Sequence, residues 1–192
     1  MIARNLTIAD AGKVYDAFRS VAVARGQENA PDYGFYDYPL TQEDFKQRLV
    51  DGRFSIGVED GKNRELVAYV LAYSFEQVQD MDTSHDAILT QVRADRKVVY
   101  LDQLYMKPGL PLHIAGRLID AWETLLAPTN PGIVTAIPQS PWKNVPSTRF
   151  SISRGLRRAG TVKDGELELA VFTKPLWLPG REMRELDLRI AG

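Results

Sequence analysis

The chain has 192 residues, 44% of them hydrophobic and 26% charged, and a formal net charge of -1. A domain of this size buries roughly 70% of the surface its unfolded chain exposes, and neither disorder nor low complexity fits the composition. Lys and Arg form no dense basic stripe of the kind a nucleic acid needs, so no nucleic-acid partner is expected; zero cysteines exclude disulfides, thiolate metal sites and an acyl-cysteine intermediate, and His85 and His113, far apart, give metal no ligand set. No segment approaches the roughly 20 apolar residues of a membrane span, and the amino terminus lacks a signal's apolar stretch. The expectation is a cytoplasmic protein with no membrane partner and one domain over residues 1–192.

"MIARNLTI" alternates as a first strand, and Thr7 with Asp10 forms a capping-box start. Ala11, Val14, Tyr15, Phe18, Val21 and Ala22 then share one helix face, with Gly26 as the stop. "QENAPDYGFYDYPL" reads as a loop, and Thr41 with Asp44 opens a second helix whose Phe45 and Leu49 share a face. "RFSIGVEDGKNRELVAYVLAYSF" reads as a hairpin turning at Asp60 and Gly61. Residues 76–96 read as an insertion with a helix near Asp86 to Val92.

"KVVYLDQLYM" is the next strand, and Ile114, Leu118, Trp122, Leu125 and Leu126 line the following helix. "GIVTAIP" is a strand, "NVPSTRFSISRGLRRAG" a helix closed by glycine, and "GELELAVFTKPL" a final alternating strand. Arginines in "RFSISRGLRR" could meet an anionic ligand, but a solvated helix face is the commoner reading. The order βααβββαβαβ implies an α/β (α+β) fold, antiparallel at first, with a strand-helix-strand crossover after Met106. The tail, residues 177–192, is left as an added strand or a partner contact.

Between Met106 and the next helix lies "KPGLPLHIAGRL". A strand feeding a helix through such a loop points the helix's first unpaired N–H groups into one small volume, which favours an anion such as pyrophosphate. Pro108 and Pro111 would equally serve a loop that merely turns the chain.

On this order of elements the sequence resembles the GNAT acetyltransferases over most of residues 1 to 176, with the insertion at 76–96 and the tail outside the resemblance. "IARNLTIADAGKVYDAF" is similar to the family's opening, an arginine near the end of the first strand before an aspartate-capped helix. Met106, Lys107 and Pro108 match the family's residues before its R/Q-x-x-G-x-G/A loop, whose amides bind the pyrophosphate of coenzyme A; Pro111, Ile114 and Gly116 stand at the three signature places. Only Gly116 matches. Pro111 offers neither the signature side chain nor an N–H, and Ile114 crowds the backbone. "NVPSTRFSISRGL" resembles the second signature, N-x-x-A-x-x-F-Y-x-x-x-G-F, through Asn144, Ser147, Phe150, Gly155 and Leu156, with Ser151 in place of the thiolate-protonating tyrosine.

The resemblance implies a mostly antiparallel central sheet flanked by helices, acetyl-CoA as acyl donor and direct transfer to a small-molecule or peptide amine. It places the pantetheine arm along Leu104, Tyr105 and Met106, with the Met106 N–H as oxyanion donor. The diphosphate would meet the amides of Leu112, His113, Ile114, Ala115, Gly116 and Arg117, with His113 or Arg117 restoring lost charge, and Asn144 would stand beside the coenzyme. Asp102, which by simple alternation shares a face with Leu104 and Met106, is the candidate base, or else an aspartate capping a neighbouring chain. Ser151 would relay a proton, or is simply solvated or bonded to its own backbone; thiolate can also leave unaided. Tyr33, Phe35, Tyr36 and Tyr38 fall where the family builds its substrate wall, or cover the sheet edge, and Trp142 borders the same cleft or closes the core. Two other classes stay open: a degenerate domain that binds acyl-CoA or another ligand without turnover, and a structural homodimer subunit.

Overall fold

The computed structural model describes residues 1–23, 35–36, 39–74, 77, 98–129 and 132–176. Gly26, the helix expected near Asp86 to Val92, Tyr33, Tyr38 and the tail lie outside the described residues. Strand β1 (Ile2–Asn5) leads through a 3-10 turn into helix α1 (Ala11–Ser20), and β2 (Ala22–Val23) follows. β3 (Phe35–Tyr36), inside the expected loop, pairs with β2 in parallel over two residues. Next come α2 (Gln42–Arg48), β4 (Ile56–Glu59), β5 (Leu66–Ser74) and β6 (Val99–Met106). Helix α3 (His113–Leu126), β7 (Gly132–Ser140), α4 (Val145–Ser153), β8 (Arg157–Asp164) and β9 (Leu167–Pro175) complete the chain. The large sheet runs β1-β4-β5-β6-β7-β9-β8. Its neighbours are antiparallel except β6 and β7, the crossover pair joined by α3.

Local chemistry fixes the ends of these elements. Thr41 and Asp44 cap α2 reciprocally, the Thr41 amide donating to Asp44 Oδ2 at 2.6 Å and the Asp44 amide to Thr41 Oγ1 at 3.3 Å. Asp10 accepts from the Thr7 amide at 2.9 Å and from the Arg4 guanidinium at 2.6 and 2.8 Å, while Arg4 also donates to Glu59 at 2.7 Å. The first strand, the first helix and β4 are thus tied by one charged cluster.

Each face of the sheet carries its own core. Leu6, Val14, Phe18, Phe45, Tyr69 and Tyr73 pack on the face covered by α1 and α2. Val70, Val99, Leu118, Trp122, Leu126 and Ile133 pack on the face covered by α3. Trp122 is fully buried and donates its Nε1–H to the Phe54 carbonyl at 2.6 Å, satisfying both groups.

Four expectations are corrected. Helix α1 ends at Ser20, so Val21 caps it and Ala22, expected on its face, belongs to β2. The buried face of α3 is Ala115, Leu118, Ile119, Trp122 and Leu126, with Leu125 exposed; helical spacing alone cannot separate a stripe from one rotated by a residue. Arg53 and Phe54 belong to a 3-10 turn, so β4 starts at Ile56. The helix expected to run to Gly160 stops at Ser153, because Gly155 (φ 82°) takes the left-handed conformation that ends it. "RRAGTVKD" then pairs with β9 as an added edge strand, tertiary pairing overriding helix propensity.

Candidate active site in a splayed sheet

Among the described residues β6 and β7 pair at two positions, Val99 with Ile133 and Tyr100 with Val134, and beyond them no further pairing joins the strands. The gap opens into a cavity of about 1120 Å³. Its walls include Phe18, Leu40 and Arg48 from the α1/α2 side and Ile119, Trp122 and Phe150 from the α3/α4 side. The cavity therefore crosses the sheet. The Lys107 amide donates to the Val67 carbonyl of β5 at 2.8 Å. Alternation along the strand then turns the N–H and C=O of Leu104 and Met106 away from β5 and into the gap.

A bulge sets the chemistry on the α1/α2 side. Leu71 faces Gln103 and Ala72 faces Leu101, so Asp102 is the extra residue of β6. The alternation flips there. Leu101 and Leu104 both pack toward α3, whereas Asp102 lies toward α2, its Oδ2 3.5 Å from Arg48 Nε with side chains 8% and 2% exposed. The expected common face for Asp102, Leu104 and Met106 is thus corrected, since simple alternation cannot see a bulge. Burial lowers the affinity of the Arg48 guanidinium for its proton, but the Tyr73 phenol and Asp102 carboxylate outweigh it, and the pKa stands above its ordinary value. Burial, with Asp102 adding to it, pushes the Tyr73 phenol well above the usual range. Tyr69 donates to Gln103 Oε1 at 2.7 Å and stacks on Tyr105 with ring centroids 5.1 Å apart.

On the α3 side the loop lines the mouth from Lys107 to Leu110, with Leu112 beyond. Gly109 adopts φ 89°, the conformation glycine permits there. Of the expected cradle, Leu112 and Ala115 line the cavity, whereas His113, Ile114, Gly116 and Arg117 do not. The Ile114 amide donates to Pro111 O at 3.0 Å and the Gly116 amide to Leu112 O at 3.4 Å. Because the helix begins at His113, Gly116 sits a full turn in, and its amide is committed to the helix.

Asn144 caps α4, accepting from the Ser147 amide at 3.0 Å, and lines the cavity with the largely buried Ser151. Trp142 also lines it and packs on the α1/α2 core, so it serves both roles the sequence offered. The Tyr36 backbone belongs to β3; its side chain and those of Tyr33 and Tyr38 lie outside the described residues. Sequence reading missed Arg48, an arginine inside an amphipathic helix with no signal of burial, and could not separate Arg154 from the exposed arginines around it. Among the described residues no His, Cys, Asp and Glu cluster could hold a metal, and no helix is long and apolar enough to cross a membrane.

No protein-family model matches the chain, and no curated sequence is significantly similar to it. Solved structures do match it over nearly their whole length. The ribosomal-protein-S18-alanine N-acetyltransferase from Escherichia coli is 10% identical with a TM-score of 0.62, the match covering 94% of this chain and 97% of that one. The loading GNATL domain of CurA from Lyngbya majuscula is 12% identical with a TM-score of 0.64, covering 91% and 97%. The mosquito arylalkylamine N-acetyltransferase like 5b is 11% identical with a TM-score of 0.62, covering 91% and 99%. The chain has the GNAT fold, as its order of elements led us to expect.

Proposed function

We propose, with the GNAT fold as premise, that this protein is an N-acetyltransferase passing an acetyl group from acetyl-CoA directly to a primary amine in a ternary complex. The observation that carries the reading is the cavity through the sheet. A donor held on the α3 side and an amine entering from the α1/α2 side meet at the splay between β6 and β7. The residues suit a coenzyme: Leu104 and Met106 offer strand-like hydrogen bonds to an amide-bearing arm, and Leu112 and Ala115 line the cavity at the start of α3, where a helix N-terminus favours anions. Acetyl-CoA bound there supplies the acyl group as a thioester.

The chain's own groups do the rest. The Met106 N–H, turned into the gap, donates to the oxygen on which charge develops. Asp102 and Arg48 form a charged floor beneath the acceptor, while Phe18, Leu40, Tyr105 and Trp142 give it an apolar wall. An alkylammonium has a pKa near ~10 and must lose a proton before attack; Asp102, lining the cavity, accepts it directly or passes it through water to solvent. Ser151 lines the cavity at the place of the thiolate's proton donor, and water carries the proton where the serine does not.

One observation favours a second reading, a binding domain without turnover: the Asp102 carboxylate already faces the buried Arg48 guanidinium at 3.5 Å, a partner that competes with any incoming ammonium. One assay pair separates them. A thermal shift with acetyl-CoA reports binding, worth about 2.7 kcal/mol at 100 times the dissociation constant. Thiol release with an amine panel reports turnover, read without background from a chain that has no cysteine. Both signals support the enzyme, binding alone supports the second reading, and neither sinks both.

A further inference from the structure

Three cations line the cavity among the described residues: Arg48, Lys107 and Arg154. Arg48 faces Asp102 on the acceptor side, and Lys107 donates to both Glu65 carboxylate oxygens at 2.7 and 2.8 Å. Arg154 is placed differently. It is the C-cap of α4, and Gly155, which terminates the helix, follows it. A Cβ built on Gly116 would lie 4.0 Å from Arg154 Nη1, so the guanidinium lies one turn into α3, between Gly116 and Asp120 and within a side chain's swing of the helix start. Nη2 donates to Asp120, one turn further along α3, while the buried Nε has no acceptor among the described residues. A five-donor fork is thus held by a single carboxylate. That carboxylate is 62% exposed, and ion pairs to such groups are worth little.

The loop before α3 lacks a cation at Pro111, and neither His113 nor Arg117 reaches the cavity. We infer that Arg154 supplies the missing charge from α4, exchanging Asp120 for the diphosphate of the donor beside the first turn of α3. This rests on the functional reading above. A planar guanidinium fork matches phosphate oxygens in a way a lysine ammonium does not. Arg154 is therefore a donor-specificity residue rather than a member of the solvated cluster formed by Arg149, Arg157 and Arg158, all exposed.

The test compares acetyl-CoA with S-acetylpantetheine, which carries the thioester without the diphosphate, in wild type, Arg154→Gln and Arg154→Lys. The ratio of kcat/KM for the two donors should fall about 10- to 100-fold in Arg154→Gln, as expected for a lost charged hydrogen bond, and less in Arg154→Lys. A purely structural role would depress both donors together and leave the ratio unchanged, which would overturn the inference. If Arg154→Gln fails to fold, Arg154→Lys carries the comparison, and an unchanged ratio there has the same force. Wild type that turns over both donors but loses no selectivity on substitution refutes Arg154 alone. Wild type that neither binds nor uses acetyl-CoA refutes the functional reading and this inference with it.

Discussion

Arg48→Met should be the most revealing single substitution for stability, because it leaves the Asp102 carboxylate buried without its guanidinium. The two groups are 3.5 Å apart and 2% and 8% exposed. Coulomb's law at an effective dielectric constant of 20 gives about 5 kcal/mol for such a pair, of which desolvation removes a large part. Breaking a buried pair from one side costs about 3 to 5 kcal/mol, so Arg48→Met should lower unfolding free energy by that amount. Arg48→Met with Asp102→Leu should recover about half or more, since the orphaned charge is gone. Urea unfolding of the wild type, both single variants and the double variant closes a double-mutant cycle. A loss below about 1 kcal/mol in Arg48→Met, or single losses that simply add, would show that Arg48 and Asp102 are not energetically coupled. The account of the acceptor floor would fall with it.

Other consequences can be measured separately. Gly52→Ala would place its Cβ 2.0 Å from the Leu6 carbonyl oxygen; backbone must move, and a thermal melt should show a loss of about 3 kcal/mol, whereas an unchanged midpoint would refute that approach. Asp10 and Glu59 are both pulled down to about 2, chiefly by hydrogen bonds from Arg4, with Lys13 helping Glu59 and burial opposing in each case. Their contribution is complete above the ordinary carboxylate range near ~4 and is lost as pH falls toward about 2. The urea midpoint should drop across that window and drop less in Arg4→Met; equal slopes would remove the cluster from the account. Met106→Pro deletes an N–H that faces the gap and takes part in no ladder bond with β5, so folding should survive while thiol release falls about 10²- to 10³-fold. Undiminished turnover would show that the oxyanion lies elsewhere.

Much of the architecture was legible because it is locally encoded. Thr41 and Asp44 announce α2 by a reciprocal cap, Asp60 and Gly61 mark the β4–β5 hairpin, and the apolar spacing from Ala11 to Phe18 gives the buried face of α1. The residues that were misread depend on partners distant in sequence. β8 exists because β9 offers it a ladder, and nothing in "RRAGTVKD" announces that. Asp102 was found but turned the wrong way, because a bulge arises from the mismatch of two strands and leaves no local trace in either. The loop after Met106 does line the cavity mouth, yet Gly116 matches a signature while its amide goes to the helix. Arg154 was passed over because arginines four or five residues apart look alike until the chain around them folds.

The splay also bears on how the molecule holds together. Two half-sheets, β1 to β6 and β7 to β9, meet through a short clasp at Val99–Ile133 and Tyr100–Val134. Below that clasp the amides of Leu104 and Met106 belong to neither half. They should exchange with deuterium faster than those of Gln103 and Tyr105 on the same strand. A molecule lodged in the gap would act as mortar, slowing exchange on both halves at once, so that occupancy would be registered as stiffness across the whole sheet.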